Sequence, residues 1–208
     1  MPLILLVRHA ENEYSRTGRL AGRLEGVHLN KRGLEQAQTL AHSLARLPLA
    51  VVYSSPLERA LETAAPIAEA RGLEVIPHPG LMEIDYGEWQ GKSLKGLRRT
   101  KLWKTVQNSP SWMRFPGGET LVEAQYRVSQ AVREIAAQYG EKDWVVCVSH
   151  ADPIKLTVAH FLGMPLDTYQ RLTIGLASVT LLYLDQQMAR VLSVNFDVSL
   201  FDHYQKAV

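Results

Sequence analysis

Five residues spread along the chain could together carry out phosphoryl chemistry: Arg8, His9, Arg59, Glu83 and His150. A neutral imidazole is a nucleophile that can attack phosphorus. Two guanidinium forks suit the oxygens of a phosphate group. A carboxylic acid can protonate a departing oxygen. Taken singly, each has an ordinary explanation. An Arg-His step after a strand is more often a surface feature. Arg59 could pair with Glu58 or Glu62 on a helix face, and Glu83 is one of 21 acids, most of them solvated. The chemistry is credible only if the fold gathers all five.

The elements that would do so can be read from the pattern. Residues 3–7 are a short apolar run ending at Arg8-His9, which reads as a strand buried on both faces. Leu34, Ala37, Leu40, Ala41 and Leu44 recur at helical spacing through residues 31–46, and Pro48 stops that helix. Residues 50–53 form a second buried strand. Ser55-Pro56-Leu57-Glu58 predicts a helix start, with Ser55 as cap, Pro56 at the first helical position and Glu58 closing a capping box. Gly72 falls just past the end of that helix, and residues 74–77 are a short third strand.

Residues 80–118 read differently. They hold Gly80, Gly87, Gly91, Gly96, Gly117 and Gly118 together with Trp89, Trp103, Trp112 and Phe115. We expect a cap-like excursion over one end of the sheet, with a helix at 94–107. Thr120 and Glu123 make a second capping box, opening a long helix to about Tyr139 with Gly140 as its stop. Residues 144–148 are the most apolar strand and end at Ser149-His150. Asp152-Pro153 then caps a helix to about Leu162. Residues 178–184 and 190–195, joined at Asp185-Gln186-Gln187, read as a closing hairpin.

Alternation of this kind predicts an α/β three-layer sandwich with a mostly parallel six-stranded sheet, in a single domain over residues 1–208. Ligands of open α/β sheets bind beyond the carboxyl ends of the strands. Arg8, His9 and His150 end strands, Arg59 lies in the first turns after one, and Glu83 opens the excursion. All five therefore fall at one end of the sheet. The helix expected at Ser55 adds the positive end of its dipole there.

Composition narrows the field. The chain has 208 residues, with 23 Lys and Arg against 21 Asp and Glu, a net charge of +2. That is not the profile of a dedicated nucleic-acid binder. The single cysteine, Cys147, excludes an intrachain disulfide and reads as a small buried hydrophobe. His28, His42, His78, His160 and His203 show no metal-ligand spacing, and no metal or other cofactor is expected. Residues 3–7 are too short for a membrane span or a signal-peptide core, so neither nucleic acid nor membrane is an expected partner and the expected location is the cytoplasm.

Beyond the five residues, whole blocks are familiar. Leu6-Val7-Arg8-His9-Ala10-Glu11 resembles the signature of the histidine phosphatase superfamily, the phosphoglycerate mutase-like group. Tyr53-Ser54-Ser55-Pro56-Leu57-Glu58-Arg59-Ala60 with Thr63-Ala64 is similar to its second arginine block. Leu81-Met82-Glu83-Ile84-Asp85-Tyr86-Gly87-Glu88-Trp89-Gln90-Gly91 is similar to its acid block. Phe115-Pro116-Gly117-Gly118-Glu119-Thr120 resembles its glycine-rich entry to the long helix, and Val148-Ser149-His150-Ala151-Asp152-Pro153-Ile154 its second histidine block. Five blocks in the right order cover nearly the whole chain and are far more specific than any one.

The resemblance implies a phosphoglycerate mutase-like fold and a role for each residue. His9 would be the nucleophile and become phosphohistidine. Arg8, Arg59 and His150 would hold the phosphoryl oxygens, with Ala151 and Ser15 as further phosphate contacts. Glu83 would protonate the leaving alcohol. The activity implied is metal-independent hydrolysis of a small phosphorylated metabolite, with phosphate or sulfate able to occupy the pocket and a homodimer left open. A phosphoglycerate mutase-like phosphomutase is the alternative. A catalytically dead phospho-ligand binding module is a third reading, but no catalytic residue is missing. Ala10 and Ala151 stand where the family usually has glycine, and Ser15 where many members have asparagine.

One segment stands between function and solvation. Lys92, Lys95, Arg98, Arg99, Lys101 and Lys104 follow one another without an acid. A solvated helical face explains them slightly better than a positive cap over the pocket does. Trp103, Trp112 and Phe115 are expected to anchor that cap by burial.

Overall fold

The computed structural model describes residues 2–184 and 188–198. Along the chain run β1 (Leu3–Arg8), α1 (Glu13–Arg16), α2 (Lys31–Leu44), β2 (Leu49–Ser54), α3 (Glu58–Glu69), β3 (Val75–Pro77), α4 (Leu94–Leu97), α5 (Lys101–Asn108), α6 (Leu121–Ala136), β4 (Trp144–Ser149), α7 (Ala151–Phe161), β5 (Val179–Leu184) and β6 (Ala189–Phe196). The sheet order is β3-β2-β4-β1-β5-β6. β3, β2, β4 and β1 are parallel, and β5 and β6 run antiparallel at one edge.

The central strands β1, β2 and β4 are apolar because both of their faces are covered. On one face Leu5, Val7, Val52, Val146 and Val148 meet Leu40, Leu44, Ala60, Ala64 and Ile67 of α2 and α3. On the other, Ile4, Leu6, Val51, Val145 and Cys147 meet Val132, Ile135, Ile154 and Val158 of α6 and α7. Strand side chains alternate between faces, so neighbouring residues in one run serve opposite layers. The expected three-layer α/β sandwich is what forms.

Several local expectations change. Leu34 is exposed, and Gly33 takes the buried position, where a Cβ would collide with the Glu11 carbonyl. Ser55 does not cap α3: the N-cap is Leu57, without a side-chain cap bond. Asp152 is not a cap either, since α7 starts at Ala151 with His150 as its N-cap residue. The helix expected at 94–107 is two, α4 and α5, because Thr100 caps a fresh start by accepting from the Trp103 amide. The capping box at Thr120 and Glu123 forms as expected. The short α1, capped by Asn12, was not foreseen. The turn at Asp185-Gln186-Gln187 and His203 lie outside the described residues. Among the described residues no helix is long and apolar enough to cross a membrane.

Candidate active site

Register brings the two histidines together. Arg8 lies opposite Ser149 in the parallel pair of β1 and β4, and the His9 amide donates to the Ser149 carbonyl at 2.9 Å. Each strand then ends one residue later in a histidine. The two rings sit with centroids 5.1 Å apart. β2 ends beside β4, with the Ser55 amide donating to the Val148 carbonyl. The adjacent strand ends thus gather His9, His150 and Ser55.

The His9 tautomer follows from its partner. Nδ1 lies 2.8 Å from the Ala10 carbonyl, which can only accept, so Nδ1 carries the proton and Nε2 keeps its lone pair. Burial and the nearby guanidiniums of Arg59 and Arg8 push His9 well below the usual imidazole range. Its imidazole is therefore neutral at neutral pH, a form able to act as a nucleophile. His150 is lowered in the same way, chiefly by burial and then by Arg59 and His9. Its Nε2 is hydrogen-bonded to Ser55 Oγ at 2.8 Å. Ser55, read from sequence as a helix cap, in fact orients the second histidine.

Arg8 and Arg59 are held by one end only. Arg8 Nη1 donates to the Ile174 carbonyl and Arg59 Nη2 to the Gly22 carbonyl, both at 2.7 Å. Arg8 Nε, Arg59 Nε, Arg59 Nη1 and His150 Nδ1 are buried without a partner in the protein. A buried donor without an acceptor is costly, and these four belong to three neighbouring site residues. The guanidinium N–H groups, with the His150 ring beside them, form a cage suited to a tetrahedral oxyanion. Thr63 ties Arg59 to the segment after His9, accepting from the Ala10 amide at 3.0 Å and donating to the Arg59 carbonyl at 2.7 Å.

Glu83 is buried on the excursion side. Burial raises its carboxyl to about 7, helped by the negative charge of Asp152, against the pull of the Ile84 amide, Arg59 and Arg8. A carboxyl that is part-protonated at neutral pH suits a proton donor. Asp152 accepts from the Tyr86 hydroxyl at 2.8 Å and pairs with Lys155 at 3.2 Å. Ser149 Oγ donates to the Leu81 carbonyl at 2.8 Å, fastening the start of the excursion to the end of β4.

Not every expected residue joins the cage. Ser15 Oγ is engaged with Asn12, accepting from its amide and donating to its carbonyl. Ala151 contributes its place at the first turn of α7. Neither Ala10 nor Ala151 has a positive φ, so the alanines are accommodated without strain. Trp112 does not anchor the cap. It is 86% exposed, whereas Phe115 is buried and Trp103 is half-buried, stacked on Trp89. Lys92, Lys95, Arg98, Arg99, Lys101 and Lys104 are all exposed. Among the described residues no group of three or more His, Cys, Asp or Glu is placed to share a metal ion.

Comparison with known proteins fits this geometry. The sequence model of the histidine phosphatase superfamily (branch 1) matches residues 4–197. Phosphoserine phosphatase 1 of Hydrogenobacter thermophilus is 34% identical over all of this chain and 98% of its own length. The 2,3-bisphosphoglycerate-dependent phosphoglycerate mutase of Thermoplasma acidophilum is 28% identical over 99% of this chain and 98% of its own. A mycobacterial glucosyl-3-phosphoglycerate phosphatase superposes with a TM-score of 0.86 at 27% identity, covering 95% of this chain and 100% of that one.

Proposed function

The chain belongs to the histidine phosphatase superfamily, branch 1, and from that premise we propose a role for each residue of the cage. The protein is a phosphoric monoester hydrolase of small phosphorylated metabolites. His9 Nε2 attacks phosphorus with its lone pair. The bond from phosphorus to the ester oxygen breaks, and Glu83 gives its proton to that oxygen. Water then attacks the phosphohistidine and returns a proton to the Glu83 carboxylate, releasing orthophosphate and free His9. Arg8, Arg59 and His150 hold the three oxygens that carry charge through both steps. The described residues act as one domain, since every group given a role lies at a strand end, in the first turn of α3 or on the excursion.

One observation carries this reading: three buried guanidinium donors and a second histidine nitrogen, all without protein partners, accompany an imidazole whose Nε2 keeps its lone pair. Inorganic phosphate and sulfate fit the same donors and should inhibit competitively. The decisive experiment is phosphate release from a panel of phosphomonoesters in the presence of EDTA. Sustained turnover supports the metal-independent route. Activity lost on chelation and restored by a divalent ion overturns it.

A second reading, phosphoryl return to another hydroxyl, is favoured by the mutase among the relatives. Supplying 3-phosphoglycerate with its bisphosphate primer separates the two. We expect phosphate release to far exceed isomerisation; efficient formation of 2-phosphoglycerate with little free phosphate would promote the mutase.

A further inference from the structure

Glu119 lies in the glycine-rich turn before α6, and its side chain is only 14% exposed. Its carboxylate collects donors from three segments. Oε1 accepts from Arg127 Nη2 at 2.8 Å, from the Asp85 amide at 2.9 Å and from Arg23 Nη2 at 3.0 Å. Oε2 accepts from Arg127 Nε at 3.3 Å.

The two arginines then turn to the backbone that carries the proton donor. Arg23 Nε donates to the Glu83 carbonyl at 2.9 Å. Arg127 Nη1 donates to the Gly80 and Met82 carbonyls, both at 2.9 Å, and Nη2 reaches the Glu83 carbonyl at 3.4 Å. Arg23 also follows Gly22, whose carbonyl holds Arg59. The consecutive residues Gly22 and Arg23 therefore link the anchor of Arg59 to the charge-assisted bonds that hold the Glu83 backbone. Glycine makes the approach possible. Glu119 donates its amide to the Asp85 carbonyl at 3.0 Å, and a Cβ on Gly118 would collide with that carbonyl.

We propose that Glu119, acting through Arg23 and Arg127, is a positioning residue that fixes Glu83 relative to Arg59, so that the carboxyl meets the leaving oxygen of a bound phosphomonoester. This rests on the reading of Glu83 as proton donor. Glu83 sits in no strand, so sheet register does not set its position; the clamp does. Small misplacements of a reacting group cost large factors in rate. Phosphate itself is gripped by groups whose bonds do not run through Glu119: Arg8 is held by Ile174, His150 by Ser55, and Arg59 by the backbone carbonyl of Gly22.

The test compares kcat/KM on two ester types for Glu119→Gln, Arg127→Lys and the reference Glu83→Gln. One substrate is 4-nitrophenyl phosphate, whose leaving group needs little protonation. The other is the alkyl monoester that the wild-type protein hydrolyses fastest in the panel. Glu119→Gln should lose about tenfold or more on the alkyl ester and under about threefold on the aryl ester. Inhibition by inorganic phosphate should stay within about twofold, because a positioning role spares the grip of the cage. Arg127→Lys, which keeps the charge and loses the fork, should show the same selective loss and is read alone if Glu119→Gln does not fold by circular dichroism. Equal losses on both esters, a loss of phosphate affinity, or no loss in a folded variant overturns the clamp. Selective loss in Glu83→Gln without it in the clamp variants overturns the clamp alone. Equal losses in Glu83→Gln overturn the proton-donor reading and the clamp with it.

Discussion

The strand-end cage and the excursion of residues 80–118 position their functional groups by different means. In the cage, backbone pairing places the histidines, and each arginine is tied to a single backbone carbonyl. His9 and His150 are neighbours because Arg8 and Ser149 are register partners, and a strand cannot slip by one residue without turning its whole apolar set to the wrong face. In the excursion, side chains grip backbone carbonyls, and glycines let two turns touch. A Cβ on Gly87 would collide with the Pro116 carbonyl, as one on Gly118 would with Asp85. The glycines there serve close packing, not looseness. The two histidines are placed by register, whereas Glu83 depends on a network of side chains.

The comparison can be broken most sharply at His9. His9→Ala should reduce phosphate release by at least about 10³-fold while leaving circular dichroism unchanged, because β1 is held by its backbone ladders. Wild-type release, or an acid-labile phosphoenzyme still formed in the variant, would remove His9 from its role.

Glu83→Gln comes next. It should cost about 10²-fold in kcat/KM on alkyl esters and far less on aryl ones. In the wild type, the alkyl-ester rate should fall as pH rises through about 7, where Glu83 loses its proton, and Glu83→Gln should lack that limb. The same group affects stability. Its carboxyl is raised on folding, so its contribution is full below the ordinary carboxylate range and is lost as pH rises through about 7. The difference in Tm between wild type and Glu83→Gln should therefore shift in favour of the variant from pH 5 to pH 8. A constant difference would show that Glu83 is not raised.

A smaller effect tests whether the cage needs Ser55. Ser55→Ala removes the hydroxyl bonded to His150 and should lower kcat about fivefold, in line with one lost hydrogen bond of about 1 kcal/mol. An unchanged kcat would mean that the strand end alone orients the ring.

The smallest effect lies on the excursion. Trp112→Ala should change stability by no more than about 0.5 kcal/mol, while Phe115→Ala, in the cluster with Tyr86 and Trp89, should cost about 3–5 kcal/mol. Denaturant unfolding of both variants reads the contrast, and a large cost for Trp112→Ala would restore it as an anchor.

The sequence by itself determined the order of the six strands and of the larger helices, the residues at the strand ends and the five candidate site residues. Buried strands, capping boxes and periodic helices are local signals, and the adjacency of Arg8-His9 and Ser149-His150 to strand ends is written in the chain. The helix starts at Ser55 and Asp152 were misread because a serine or aspartate before an apolar run carries the same local signal whether its side chain caps the helix or turns to a distant partner. Here Ser55 turns to His150, 95 residues away, and Asp152 to Tyr86, 66 residues away. Only the tertiary structure decided those pairings, the proton on His9 Nδ1, the raised carboxyl of Glu83 and the clamp of Glu119 with Arg23 and Arg127. Each depends on burial and on distance between segments far apart in the chain, which local sequence pattern does not encode.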